Sequence, residues 1–298
     1  MNAGSDIPIR IAPRRELAEE WALVLVAEGL SPSVWHAAEG FMLGVPGDQV
    51  ESATSVLSSY DSENPPRPPV DDEPKGRAHI YTALFFSIAL LDFFFITDVW
   101  SEALPWVDRG GADAKRIVGG ELWRIVTALT LHADLKHALA NAIAGALFVG
   151  AVCRSLGSGF GFAIVLLAGA GGNLVNALFY GSYHVAIGAS TAVFGALGVL
   201  GGVGAVRRRR SGMHGRHVWV PIAAGLALLA MLGTAGERVD LLGHLFGFLV
   251  GGVLGLGVAY ALPRRPAPRV QWALGLSALV VIFLSWAWAL AYTPAGIA

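Results

Sequence analysis

Residues 186–202 read AIGASTAVFGALGVLGG, an apolar run built largely of glycine and alanine with one serine embedded in it. Ser190, Phe194 and Gly198 follow one another at steps of four, so on a helix they share one face. Small residues on such a face allow a second helix to approach closely. The stretch therefore predicts a closely packed membrane helix that carries a hydroxyl nucleophile near its start.

A lone Gly-x-Ser is a weak signal in a chain with 38 glycines, and alone it favours a small-residue helix contact with an incidental hydroxyl. Two other stretches change this interpretation. His137 and Asn141 are spaced i, i+4 on another predicted helix, and His244 lies between Gly243 and Gly247 in an uncharged apolar span. Together these residues supply a nucleophile, a base and two side-chain donors, which are the groups that acyl transfer requires.

Four motifs and their order along the chain resemble the rhomboid family of intramembrane serine proteases. The resemblance covers about residues 81–262 and rests on ELWR at 121–124, HxxxN at 137–141, GxSxxxFG at 188–195 and GHxxGxxxG at 243–251. One departure is Thr191, where many members carry a second glycine after the serine. Its methyl and hydroxyl groups stand beside the nucleophile, so the departure bears on substrate fit more than on chemistry.

The resemblance implies a role for each motif residue. Ser190 and His244 would form a catalytic dyad, with Phe194 packed on the imidazole and Gly188 supporting the serine. His137 and Asn141 would stabilise the oxyanion, and no cofactor is implied. A zinc site is disfavoured because HExxH is absent and the histidines are not paired at i, i+4. Asp240, four residues before His244, could complete a triad, but we expect a structural role for it.

The composition is that of a membrane protein. Hydrophobic residues make up 54% of the 298 positions and charged residues 14%, compared with about 25% charged residues in soluble domains. The single cysteine, Cys153, excludes an internal disulfide. The first residues lack a basic start and an uninterrupted apolar run, so no signal peptide is expected.

The N-terminal region differs from the remainder. Residues 1–64 hold ten acids and three bases, and the patterns within residues 1–61 predict a small cytosolic α+β module of βαββα type. Trp35 and His36 are interpreted as loop or surface residues. The module resembles small domains that some bacteria append to membrane proteins as signalling or adaptor units, which implies a cytosolic partner. Residues 62–77 are rich in proline and charge and predict a semi-extended linker.

Residues 78–298 are predicted to form an all-α polytopic membrane domain, a rhomboid-like six-helix core followed by a seventh helix. Residues 97–136 are too polar for a helical hairpin and predict a structured loop. Trp123-Arg124 corresponds to a loop motif of the rhomboid family, and the resemblance implies that Arg124 ties the loop together; a plain interfacial anchor is the alternative. Asp92 in the first span is expected at a hydrogen-bonded packing position. The predicted spans are 80–96, 138–152, 160–180, 190–206, 218–233, 239–261 and 272–292.

The connecting charges predict the orientation of this domain. The loops on one side hold nine bases and no acid, and those on the other hold six bases and eight acids. The basic side is cytoplasmic by the positive-inside rule, which puts the N-terminus in the cytoplasm. The expected location is a bacterial inner membrane. Arg207 to Arg210 could instead bind nucleic acid, but their place at the end of an apolar span favours topology and lipid headgroups.

The leading hypothesis is an intramembrane serine endopeptidase whose partners are transmembrane substrates and the bilayer. Because hydrolysis needs water, we expect the site to open toward the outer face through polar residues such as His132, Ser182, Tyr183 and His184. The alternative is a non-catalytic rhomboid-like protein that binds transmembrane helices, and such relatives typically lack the serine or the histidine. A channel or transporter is disfavoured, because paired interrupted helices and repeats are absent from the sequence.

Overall fold

The computed structural model describes residues 6–64, 78–99, 104–213, 215–232, 240–262 and 264–292. The chain divides into two compact units, Met1–Val70 and Asp71–Ala298. In the first unit a three-stranded antiparallel sheet of order β1-β3-β2 packs on two helices. Its elements are β1 (Ile7–Ala12), α1 (Arg15–Ala27), β2 (Ser33–Ala37), β3 (Gly40–Val45) and α2 (Val50–Glu63).

The element order of this unit is the predicted βαββα order. Its core joins Leu25 of α1 to Leu43 of β3 and Leu57 of α2, all fully or almost fully buried. Trp35 and His36 lie in β2, which pairs with β3, so neither is a loop residue. His36 is exposed, as expected for a surface residue, and Trp35 is half-buried. The linker predicted at 62–77 falls almost wholly outside the described residues, and α2 extends to Glu63.

The second unit is helical, and six of its described helices are long and apolar enough to cross a membrane. The 17-residue helix α10 (Arg216–Leu232) is apolar but shorter and contains Pro221. The seven apolar helices are α3 (Ala78–Phe94, continued by a π-helical turn Phe95–Val99), α7 (Leu135–Leu156), α8 (Ser158–Tyr180), α9 (Ser190–Arg210), α10 (Arg216–Leu232), α11 (Leu241–Ala261) and α12 (Pro268–Ala291).

The observed helices exceed several predicted spans because polar caps and charged ends lengthen them. The Asp134 carboxylate accepts a hydrogen bond from the backbone N–H of His137, so α7 begins at Leu135 rather than at 138. Four arginines extend α9 to Arg210. Asp92, predicted at a packing position, is instead exposed on α3, whose opposite face packs Phe86 against Gly145 of α7.

The connection between α3 and α7 is the structured loop that the sequence predicts. It contains α4 (Trp106–Gly110), β4 (Ala112–Asp113), α5 (Ala114–Val118) and α6 (Arg124–Thr127). Arg124 is buried and donates to the Glu121 carboxylate at 2.6 Å and to the Gly111 carbonyl at 3.0 Å, which confirms its expected role. β4 pairs with β5 (Val185–Ala186), so this loop contacts the segment that leads into α9.

The last helix is attached to the membrane unit by polar contacts as well as by apolar ones. The Trp286 indole N–H donates to Thr130 Oγ1 at 3.0 Å, and the ring lies against Gly110. At the other end of α12, Gln271 donates to the Leu156 carbonyl and accepts from the Phe160 N–H. The α12 helix is therefore an integral part of this unit.

Helices α9 and α11 are in direct backbone contact. Three residues of α11 at four-residue spacing are glycines that each face a backbone carbonyl of α9, and a Cβ atom at any of them would collide with that carbonyl. Only glycine permits this separation, because the two backbones are themselves in contact. The facing pairs are Gly247 with Thr191, Gly251 with Gly195, and Gly255 with Val199.

Candidate active site

Ser190 is the first residue of α9, immediately after a tight turn. Gly188 has φ +127°, a conformation that L side chains rarely adopt, and a Cβ atom there would also lie 2.7 Å from the His137 ring. The turn is held by two backbone donors: the Gly188 N–H bonds to the Ala128 carbonyl at 2.9 Å, and the Ala189 N–H bonds to His132 Nε2 at 3.2 Å. The serine is thus presented from a fixed backbone.

His244 lies one turn into α11, and its Nε2 is 2.8 Å from Ser190 Oγ. The imidazole is 7% exposed, and the Phe194 ring packs on it at a centroid distance of 4.5 Å and an interplanar angle of 36°. A neutral imidazole with its proton on Nδ1 can accept the serine O–H at this distance. The glycine contacts between α9 and α11 are what bring the two side chains together.

His137 and Asn141 lie on one face of α7 next to the turn. A Cβ atom placed on Gly188 would lie 2.8 Å from His137 Nε2 and 3.6 Å from Ser190 Oγ. The His137 ring therefore borders the serine. The buried Asn141 amide donates to the His137 carbonyl at 3.1 Å. That bond uses one of the two amide hydrogens and leaves the other for a further acceptor.

Asp240 has contacts that agree with its expected structural role. One carboxylate oxygen accepts from the Gly243 N–H at 3.0 Å and caps α11. The other accepts from the Asn176 amide at 2.6 Å and lies 3.0 Å from His184 Nε2. These bonds connect the start of α11 to α8 and to the segment before β5.

Thr191 is 5% exposed, and its methyl group fills a junction of small residues. It lies close to Gly172 of α8 and Gly247 of α11, where two glycines leave room for it. Thr191 also lines a small cleft beside the serine, together with Ala128, Asn173, Ala186, Ile187, Gly188, Ser190 and Asp240. The departure from the family pattern therefore changes one wall of that cleft.

Sequence reasoning missed the position of His132. It was expected to line an opening for water, with Ser182, Tyr183 and His184, but His132 is 5% exposed and accepts the N–H of the residue before Ser190. Burial, together with the neighbouring His137, lowers the pKa of His132 to about 3, so the ring is neutral and can act as an acceptor. Its ring also packs edge-on against His137 at a centroid distance of 5.0 Å.

Tyr183 does protrude into solvent, with 97% of its surface exposed, whereas His184 is held by Asp240. No spacing in the sequence indicated the partner of His132 or that of His184, because each partner lies more than 50 residues away. Among the described residues, no three histidine, cysteine, aspartate or glutamate side chains are grouped as a metal ion would require.

Comparison with known proteins gives one family. Residues 119–261 match the family model described as Rhomboid domain. Rhomboid protease GluP of Bacillus subtilis is 33% identical over 208 residues, which are 68% of this chain and 40% of GluP. YdcA of the same organism is 30% identical over 184 residues, 59% of this chain and 87% of YdcA. RHOMBOID-like protein 4 of Arabidopsis thaliana is 39% identical over 94 residues, 30% of this chain and 23% of that protein.

Proposed function

Because the chain belongs to the rhomboid family, we propose that this multi-pass membrane protein is a serine endopeptidase that hydrolyses peptide bonds in or near transmembrane segments of other proteins. The observation that carries the proposal is the 2.8 Å approach of His244 Nε2 to Ser190 Oγ at a site enclosed by helices. A serine hydroxyl becomes an effective nucleophile only when a base accepts its proton, and imidazole is suited to this near pH 7.

In the first half-reaction Ser190 Oγ attacks the scissile carbonyl carbon while its proton passes to His244 Nε2. The carbonyl π electrons move to oxygen and form a tetrahedral oxyanion. When the C–N bond breaks, the imidazolium returns the proton to the leaving amine, and an acyl-serine ester remains. Water then repeats the sequence with His244 as base, which releases the carboxylic acid product and restores the serine.

The oxyanion would be stabilised by donors around the turn. The candidate donors are His137 Nε2, which borders the serine, the second hydrogen of the Asn141 amide, one turn further along α7, and the backbone N–H of Ser190 at the start of α9. Losing one such donor typically costs about 3–4 kcal/mol of transition-state stabilisation. This set of donors supports acyl transfer rather than simple helix binding.

A dyad suffices in this proposal because packing orients the imidazole. The Phe194 ring covers one side of His244, and the Asp240 carboxylate is engaged by Gly243, Asn176 and His184. An aromatic ring one turn along α9 from the nucleophile therefore helps to orient the base.

A fluorophosphonate probe, which reacts with activated serines, tests this proposal directly. The purified full-length protein should be labelled at Ser190, and Ser190→Ala and His244→Ala should abolish both labelling and cleavage of a model transmembrane substrate with little change in Tm. Ser211→Ala, at the far end of the same helix, is the matched control and should behave like the wild type. Absence of wild-type labelling, or equal labelling of Ser190→Ala, would refute the dyad.

We also propose that the N-terminus is cytoplasmic and that the protein resides in a bacterial inner membrane. Arginines at the ends of α7 and α9 and before α12 support this orientation. The single native cysteine, Cys153, is buried, so introduced cysteines report the topology. A membrane-impermeant maleimide should label Tyr183→Cys in intact cells and Ser211→Cys only after permeabilisation, and the reverse pattern would invert the topology.

A further inference from the structure

Asp240 lies at the start of the helix that carries His244 and contacts the segment that leads to Ser190. It is the N-cap of α11, four residues before His244. Its Oδ2 atom accepts the Asn176 amide at 2.6 Å and lies 3.0 Å from His184 Nε2, while its Oδ1 atom accepts the Gly243 N–H. We call the side chains of Asn176, His184 and Asp240 the Asp240 clasp.

His184 is itself fixed from two sides. Its ring stacks on Tyr180 at a centroid distance of 3.9 Å with an interplanar angle of 12°. Its backbone carbonyl accepts the Ala114 N–H at 2.9 Å, next to the β4–β5 pairing. The chain then runs from His184 through β5 to Ser190 in six residues, so a displacement at His184 is transmitted to the serine over a short, paired segment.

The clasp exceeds what helix capping requires. A cap needs only the bond to Gly243, which uses one oxygen. The second oxygen joins side chains that are 56 and 64 residues away in sequence, and both His184 and Asp240 are largely buried, with side-chain exposures of 21% and 17%. Hydrogen bonds to a partly buried carboxylate are among the stronger ones in proteins.

We propose that His184 and Asp240 are positioning residues, which hold the Ser190 segment and the start of α11 in register so that the dyad hydrogen bond forms. The inference rests on the proposed function, since it assigns how the two reacting side chains are aligned. Neither residue takes part in bond making. Their contribution is to join these two chain segments in addition to the α9–α11 contact.

Substitutions at His184 can separate this role from general stability. His184→Phe keeps the stacking on Tyr180 but removes the bond to Asp240, whereas His184→Gln places an amide nitrogen where Nε2 stands and restores a donor. Tyr183→Asn is the matched control, because Tyr183 is the adjacent, almost fully exposed residue with φ 56°, a conformation that asparagine tolerates. Each variant is purified full length and assayed for probe labelling rate, kcat, KM and Tm.

We expect His184→Phe to lower the labelling rate and kcat by about 10-fold to 100-fold, as misplacement of reacting groups by about 1 Å does, with KM within about twofold of the wild type. His184→Gln should recover most of that loss, and Tyr183→Asn should lose nothing. Wild-type labelling by His184→Phe, an effect confined to KM, or equal losses in the Phe and Gln variants would each overturn the clasp as a positioning device.

A double-mutant cycle on thermal stability tests the pair without reference to activity. His184→Phe and Asp240→Asn should be non-additive, because each removes the same charge-assisted bond. If the two losses of thermal stability were additive, the bond between His184 and Asp240 would not stabilise the protein, and the clasp would be overturned even in a protein that the probe labels normally. Failure of the proposed function has a different signature, namely a wild-type protein that the probe does not label at all, and in that outcome the positioning role falls with it.

Discussion

Replacing Gly251 by alanine should separate the two helices that carry the dyad. A Cβ atom at this position would lie 2.8 Å from the Gly195 carbonyl carbon and still closer to its oxygen, whereas ordinary contact begins at 3.4 Å. Neither backbone can rotate away as a side chain could. The carbonyl carbon must therefore retreat by at least about 0.6 Å, which α9 and α11 can provide only by moving apart.

That displacement is large relative to the dyad geometry. Added to the 2.8 Å between Ser190 Oγ and His244 Nε2, about 0.6 Å would take the contact to the limit of hydrogen bonding. We expect probe labelling to slow by about 10-fold to 100-fold. We also expect the free energy of unfolding to fall by about 1–3 kcal/mol, as for other overpacked cores.

Gly257, six residues further along α11, provides the control because no atom lies within 4 Å of a Cβ placed there. Gly257→Ala should preserve activity and be neutral or slightly stabilising, since alanine favours helix by about 1 kcal/mol over glycine. Labelling rates and thermal melts of both variants in the same detergent are the measurement. If Gly251→Ala labelled and melted like Gly257→Ala, the account of close backbone contact would be wrong.

Three further predictions concern other parts of the chain. Asn141→Ala should lower kcat by about 10-fold to 1000-fold with little change in KM, because its donor acts on charge that appears after attack, and a pure KM effect would contradict this. Removal of residues 1–77 should leave peptidase activity in detergent intact, and an inactive but well-folded truncation would assign the module to catalysis. Because burial lowers the pKa of His132 to about 3, only the unfolded chain takes up this proton between about pH 6.5 and 3, so stability should fall with falling pH by at most about 1.4 kcal/mol per unit. The measurement is Tm as a function of pH. A shallower slope of Tm against pH in His132→Gln than in the wild type would support this, and identical slopes would contradict it.

The dyad environment was predictable because its determinants repeat along helices. The i, i+4 spacing of His137 and Asn141 and the four-residue steps of glycine in α11 place residues on one helix face. Those glycines then fix the distance between α9 and α11 through direct backbone contact. Helix periodicity and residue size together predicted the close approach of these two helices, whereas the pairing of Ser190 with His244 as a dyad came from the resemblance to the rhomboid family.

The remainder depends on contacts that have no period. His132 and His184 lie in connecting segments, and each bonds to a group more than 50 residues away. Asp92 was misjudged because an acid in an apolar helix favours burial on general grounds, whereas the packed face of α3 is formed by residues such as Ser87, whose hydroxyl bonds to the Ala142 carbonyl. The predicted βαββα order includes the strand that contains Trp35, but its position was not predicted, since its five residues, SVWHA, lack a clear alternation.

The contacts of α12 have a consequence for biosynthesis. Gly110, in the loop that follows the first membrane helix, is covered by Trp286, a residue made 176 positions later. The ribosome adds about 5–20 residues per second, so that loop waits roughly ten to thirty seconds for its packing partner. Because the same loop pairs through β4 with the segment leading to Ser190, the nascent chain completes the surroundings of its nucleophile only after its last helix has been inserted.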